Sequence, residues 1–161
     1  MKVAWILGNF PKNKNDFSGF FYKRNAESIC KLNINLSVFH FHKIQHIFKI
    51  DYNLKNDYKL YRIPILNFNI LNKIGLVEFQ INLILKIIFL FYKPDVIHGH
   101  YLYPFGLSLL NTIKKPIFIT CIGSDLNIDP ERLPRIKTLI LGNFSKINFI
   151  TVSNSLKHKL L

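Results

Sequence analysis

Two histidines flank a glycine in His98-Gly99-His100, just after the apolar pair Val96-Ile97 and just before the aromatic turn Tyr101-Leu102-Tyr103-Pro104-Phe105-Gly106. Imidazole titrates near neutral pH, exchanges protons with substrates and ligates metals. Alternate residues of a strand share a face, so His98 and His100 point one way and Gly99 the other. Three chemistries are open to such a pair. The rings can be satisfied core residues. They can be two metal ligands with Asp125 as a third, which would suit a metal-dependent hydrolase. They can be a wall of a reaction cleft, with His100, further along the strand, reaching it. A lone His-x-His is a weak metal signal, and no other Cys, His or Glu cluster lies nearby, so no metal is expected.

Two other short stretches carry polar groups next to glycine. Gly123-Ser124-Asp125 follows the apolar run "PIFITC" and suits either a turn or a bend that aims polar groups into a cleft. Ser18-Gly19 precedes "FFYKRNAESICKL". Ser18 is a candidate helix cap, and Gly19 permits close backbone approach to an anion at a helix N-terminus. The spacing from Gly8 to Gly19 is too long for a dinucleotide-binding glycine motif, and no GxxxxGK[ST] occurs, which excludes the usual nicotinamide and P-loop sites.

The elements that must position these groups alternate. Short apolar or β-branched runs at 2–8, 35–42, 58–66, 95–100, 114–121 and 147–152 read as six strands. Helical spacing or helix formers occupy 19–32, 73–92, 105–113, 130–144 and 153–161, the second of these expected to be largely buried. Residues 43–56 read as polar and irregular. Strands alternating with helices imply an α/β fold with a doubly wound, mostly parallel, Rossmann-like sheet. In the common strand order 3-2-1-4-5-6, ligands bind beyond the carboxyl ends of the first and fourth strands. The loops holding Asn9–Gly19, His98–Gly106 and Gly123–Asp125 are therefore expected to converge.

The 161 residues suit one domain, and 49% hydrophobic against 19% charged residues is enough apolar material for a core. Lys and Arg number 22 against 9 Asp and Glu, a net charge of +13. Such a surface favours anionic partners. No Arg-rich recognition helix, zinc-finger spacing or RNA-binding aromatic motif is present, so nucleic acid is not the expected one. Cys30 and Cys121 are far apart without CxxC spacing; a disulfide is not expected and a reduced, cytoplasmic location is. The longest apolar stretch, 81–92, is too short for a bilayer span and contains Lys86.

Four segments, in order, carry a family resemblance: "FPKNKNDFSGFFYKRNAESI", "PDVIHGHYLYPFGLSLL", "KKPIFITCIGSDLN" and "INFITVSNSLKHKLL". With them the chain resembles the N-terminal domain of family-4 retaining glycosyltransferases of the GT-B fold. The resemblance implies transfer of a sugar from a nucleotide-sugar donor, the co-substrate, to a glycan or lipid-linked acceptor; no further cofactor is implied. It implies that Ser18 and Gly19 approach the donor phosphates, and that His98, Tyr101, Gly123, Ser124 and Ser153 line the substrate side. His100 and Asp125 would be the catalytic groups. Family members often carry histidine where this chain has Ile122, so the sugar contact is expected to differ. The family's donor-binding C-terminal domain is not within residues 1–161, so the expectation is a single acceptor-side domain, inactive alone. A separately encoded partner domain, or a non-catalytic remnant, would account for it. Lipid-linked acceptors and the basic charge together imply peripheral contact with the anionic inner face of the cell membrane.

Overall fold

A computed structural model describes residues 1–11, 15–43, 52–53, 58–66, 76–109, 114–123, 142 and 147–160. In chain order the elements are β1 (Lys2–Leu7), α1 (Phe20–Cys30), β2 (Asn35–Lys43), β3 (Tyr52–Asn53), β4 (Lys59–Ile65), α2 (Leu76–Tyr92), β5 (Val96–His100), β6 (Ile117–Cys121), β7 (Ile147–Thr151) and α3 (Asn154–Leu160). Among the described residues these strands form one sheet in the order β3-β4-β2-β1-β5-β6-β7. Every neighbouring pair is parallel except β3 with β4. Set β3 aside and the six parallel strands run 3-2-1-4-5-6, the order expected. The short antiparallel β3 falls in the stretch read as irregular: two residues are too few to show an alternating pattern.

β1 is central because "KVAWIL" is apolar on both sides of its pleat, and a parallel strand covered on both faces needs that. Its alternate side chains enter two cores. Ala4 and Ile6 join Phe39, Phe41, Ile97 and the inner face of α2. Val3, Trp5 and Leu7 join Leu36, Val38, and Tyr22 and Ala26 of α1. The sheet is thus covered by α1 on one face and α2 on the other, the doubly wound arrangement.

The parity of β5 follows from its register against β1, with Trp5 opposite His98 and Ile6 opposite Gly99. Gly99 therefore lies on the α2 side, where a Cβ would come within 2.9 Å of Leu109 Cδ1. The glycine is what admits the turn that follows. That turn, Leu102–Gly106, begins at Tyr101 with φ 75° and ψ 132°, is kinked at the extended Tyr103 (φ −120°, ψ 134°), and contains a cis Tyr103–Pro104 bond. It starts three residues before the helix expected from Phe105.

α2 departs from expectation in a different way. Val77, Ile81, Leu85 and Phe89 recur every four residues and are buried. Phe79, Leu83, Ile87, Leu90 and Phe91 are exposed. The helix carries a second apolar face opposite the covered one, so the reading of a largely buried helix is corrected to a half-buried one. It ends at Lys93, whose φ of 47° is a left-handed stop, followed by Pro94, which cannot continue a helix. Of the helix expected over 130–144, Gly142 alone falls within the described residues. Cys30 and Cys121 are both buried and form no disulfide, and among the described residues no helix is long and apolar enough to cross a membrane.

Candidate functional site

Beyond the carboxyl ends of β1, β2 and β5 lies a cleft of about 540 Å³. It opens where the strand order reverses, because the chains leaving β1 and β5 turn to opposite faces and leave a gap between them. Asn9, Phe10, Asp16 and Ser18 line it after β1; His40, His42 and Lys43 line it at the end of β2; Tyr101, Tyr103 and Phe105 line it after β5.

The turn before α1 is tied directly to the end of β1. The Ser18 hydroxyl lies 2.6 Å from Asn9 Oδ1 and donates to it, and the Ser18 amide donates to Asp16 Oδ1 at 2.9 Å. Gly19 has φ 72°, and a Cβ there would lie 2.7 Å from the Asn9 carbonyl oxygen. Only glycine meets both demands. Ser18 does not cap α1: Gly19 occupies the cap position without a side-chain bond, because the hydroxyl is already engaged by Asn9.

His98 and His100 lie on the α1 side of the sheet, as the alternation requires. His98 Nε2 is 2.7 Å from the Thr120 hydroxyl. Burial holds its pKa down at about 4, because desolvation penalises the charged ring. His100 is 5% exposed. Its ring packs edge-on to Trp5 and Tyr22, with centroids 4.6 and 4.9 Å away, and lies 4.1 Å from His98. Burial first, then the neighbouring His98, keep it well below the ordinary imidazole range. Its Nε2 has no hydrogen-bond partner among the described residues. The expectation that His100 reaches the cleft is corrected: it lies beneath the cleft, in an aromatic box. The next residue, Tyr101, lines the cleft instead. A positive φ on an aromatic residue is costly, and such strain persists only where the surroundings enforce it. Here the Tyr101 amide donates to the Thr120 carbonyl at 3.0 Å, and its own carbonyl accepts from the Gly106 amide at 2.9 Å.

Residues on β2 and β4 also enter the site, and the motifs singled out in the sequence did not include them. His40-Phe41-His42 ends β2 as His98-Gly99-His100 ends β5, and both histidines of β2 line the cleft. Arg62, opposite His40 in the register, donates to the Pro11 carbonyl at 2.6 Å and sits 3.1 Å from His40 Nδ1. A guanidinium has no acceptor, so His40 Nδ1 must accept and its proton sits on Nε2. Arg62 thereby locks the β1 loop, β2 and β4 together. The signal was present in "VFHFH", a second His-x-His at a strand's carboxyl end.

The third predicted loop is only partly described. Gly123 has φ 111°, close to Leu156 of α3. Ser153 is exposed, and its hydroxyl accepts from the Leu156 amide at 3.3 Å, which makes it the cap of α3. Ile122 is half-buried beside Gly123. Ser124 and Asp125 lie outside the described residues. The structure thus brings Ser18, Gly19 and Tyr101 to one cleft with His98 and His100 beneath it, and sets Gly123 and Ser153 together near α3. Among the described residues no three His, Cys, Asp or Glu side chains gather as a metal site would need.

The fold recurs in solved structures. A sucrose-phosphate synthase fragment from Thermosynechococcus elongatus superposes with a TM-score of 0.63 at 14% identity, over 99% of this chain and 81% of that one. The sucrose-phosphate synthase of the same organism gives 0.65 at 9% identity, over 99% and 44%. The UDP-GlcNAc 2-epimerase of Methanocaldococcus jannaschii gives 0.61 at 18%, over 99% and 42%. The chain spans less than half the length of the last two. No curated protein matches it by sequence. The family profile described as glycosyl transferase 4-like matches residues 16–155, from the turn that Asn9 anchors to the start of α3. With its Rossmann-like, doubly wound sheet, the chain belongs to the glycosyl transferase 4-like family.

Proposed function

We propose that this domain is the acceptor side of a retaining glycosyltransferase, moving a sugar from a nucleotide-sugar donor to a glycan or lipid-linked acceptor. The observation that carries the reading is the cleft at the strand-order reversal, with Gly19 packed against Asn9 on one side and Tyr101 held in strain on the other. Family membership supplies the reaction class.

In this reading the Ser18-Gly19 turn and the amides that open α1 face the donor phosphates, where backbone N–H groups favour an anion. Tyr101 contacts the acceptor, and Gly123, Ser124 and Ser153 border the sugar. Asp125 takes the catalytic role the resemblance implies, and His98 supports the substrate side from beneath the cleft as a neutral ring bonded to Thr120. His100, buried under Tyr101, acts as a positioning residue rather than touching substrate. The donor-binding domain of the family would complete the cleft from the opposite side.

The test is a transfer assay of this domain joined to a donor-binding domain of the family, with a panel of nucleotide sugars and glycan or lipid-extract acceptors, the product's anomeric configuration read by NMR. A retained configuration, with turnover reduced by roughly tenfold or more in Gly19→Val through misplacement of the turn, supports the reading. Turnover insensitive to Gly19→Val, or inversion, sinks it. A second reading, a glycan-binding module without transfer, is favoured by Ile122, which brings no hydrogen-bonding side chain to its place beside Gly123. Saturable glycan binding without any sugar transfer would select it.

A further inference from the structure

We infer that the carboxyl end of β2 is an anion subsite that holds a phosphate or carboxylate carried on the acceptor sugar, an inference that rests on the acceptor-side reading of the cleft and adds the charge of its substrate. His40, His42 and Lys43 line the cleft from β2. They take no part in the Ser18-Gly19 turn or the Tyr101 contact. Arg62 of β4 stands beside His40, its guanidinium 3.1 Å from Nδ1. That contact fixes the His40 proton on Nε2, so the ring is a donor on its other edge. His42 follows on the same face, with ring centroids 5.8 Å apart. Its Nδ1 lies 3.2 Å from the Lys43 carbonyl, which only accepts, so Nδ1 carries a proton. Nε2 is then the nitrogen left for a ligand, and it donates when the ring is charged. Lys43 is exposed and brings a point charge of the kind that binds phosphate.

The opposite bank of the cleft, on the loop after β1, has the other polarity. Asp16 Oδ1 accepts from the Ser18 amide at 2.9 Å, and Asn9 Oδ1 accepts from the Ser18 hydroxyl at 2.6 Å. The charges of Lys43 and Arg62 outweigh that of Asp16, and the Asp16 carboxylate repels an anion from its own side. An anionic acceptor thus has one favoured orientation, with its charge towards β2. The span suits a single sugar. β2 and β5 flank β1 in the sheet, so their ends stand about 9.5 Å apart, twice the spacing of neighbouring strands. A sugar ring packed on Tyr101 at the β5 end crosses that gap with one charged substituent.

The test is an NMR titration of the isotopically labelled full chain with glucose 6-phosphate, glucuronate, glucose, inorganic phosphate and UDP at fixed ionic strength. At least one of the two sugar anions is expected to bind about tenfold more tightly than glucose, moving His42 and Lys43 together with Tyr101. The tighter of the two assigns the group as phosphate or carboxylate. H42Q/K43Q is expected to weaken that binding by about tenfold or more, to the level of glucose. K31Q, on an exposed lysine at the far end of α1, is expected to leave it unchanged. Unchanged thermal midpoints check folding; should the double variant misfold, K43Q alone reads the preference from an exposed position. A loss in K31Q equal to that in K43Q overturns the inference in favour of diffuse charge. Inorganic phosphate bound as tightly as the sugar anions overturns it in favour of an adventitious ion only. UDP moving the β2 end more than either sugar anion overturns it in favour of a donor contact. If glucose and both anions move Asn9, Ser18 and Tyr101 equally, the charge preference alone fails; if no sugar moves them, the acceptor reading fails with it.

Discussion

Burial without a counter-charge keeps the His98 and His100 rings neutral, and that couples the protein's stability to pH. The unfolded histidine binds its proton near its ordinary pKa, 6.5, while folded His98 does so only at about 4. Between these values the unfolded chain holds more protons, so stability is complete above about pH 6.5 and is lost as pH falls towards 4. His98 alone accounts for up to about 3 kcal/mol over that window. Thermal midpoints of wild type should drop by several degrees from pH 7 to 4.5, and His98→Gln should flatten the curve by about one proton. An unchanged slope in His98→Gln would remove the assignment. At Arg62, truncation leaves both the Pro11 carbonyl and His40 Nδ1 without their donor. Arg62→Ala should destabilise by about 1–3 kcal/mol in urea unfolding. Arg62→Lys should recover only part, because one ammonium cannot reproduce the fork. These two sites differ in how visible they were. His98 and His100 stand out as a motif, whereas the role of Arg62 depends on a register pairing between strands 22 residues apart, which no local pattern reveals.

The elements divide along the same line. Each parallel strand was legible as a short apolar run, and their parity followed from alternation, down to Gly99 facing the α2 side. Where alternation meets a tight turn, legibility stops. His100 is the outermost residue of β5, yet Trp5 of β1 and Tyr22 of α1 close over its ring, so the outer position is not the exposed one. α2 shows a second limit. Twelve consecutive residues dominated by apolar types look like a buried helix, and only the four-residue recurrence of Val77, Ile81, Leu85 and Phe89 marks the face that is covered. Two leucines of this helix make the contrast measurable. Leu85→Ala empties a fully buried position and should cost about 2–5 kcal/mol. Leu90→Ala removes an exposed side chain and should stay within about 0.5 kcal/mol. Equal losses in chemical denaturation would mean that the outer face is covered in the free protein.

At the scale of the whole molecule, the doubly wound order follows from alternating strands and helices plus the handedness of crossover connections. It places the cleft before any side chain is considered. What could not be read was which side chains would line it. The β2 end contributes His40 and His42 because β2 neighbours β1 beside the reversal, a neighbour relation of topology and not of sequence. Sugar binding at this cleft is tested by titrating nucleotide sugars and glycan acceptors into isotopically labelled protein, with NMR shifts mapped residue by residue. Shifts are expected to concentrate at Asn9, Ser18, Gly19, His40 and Tyr101 and to diminish in Gly19→Val. Shifts absent from these residues, or gathered on the outer face of α2, would contradict it.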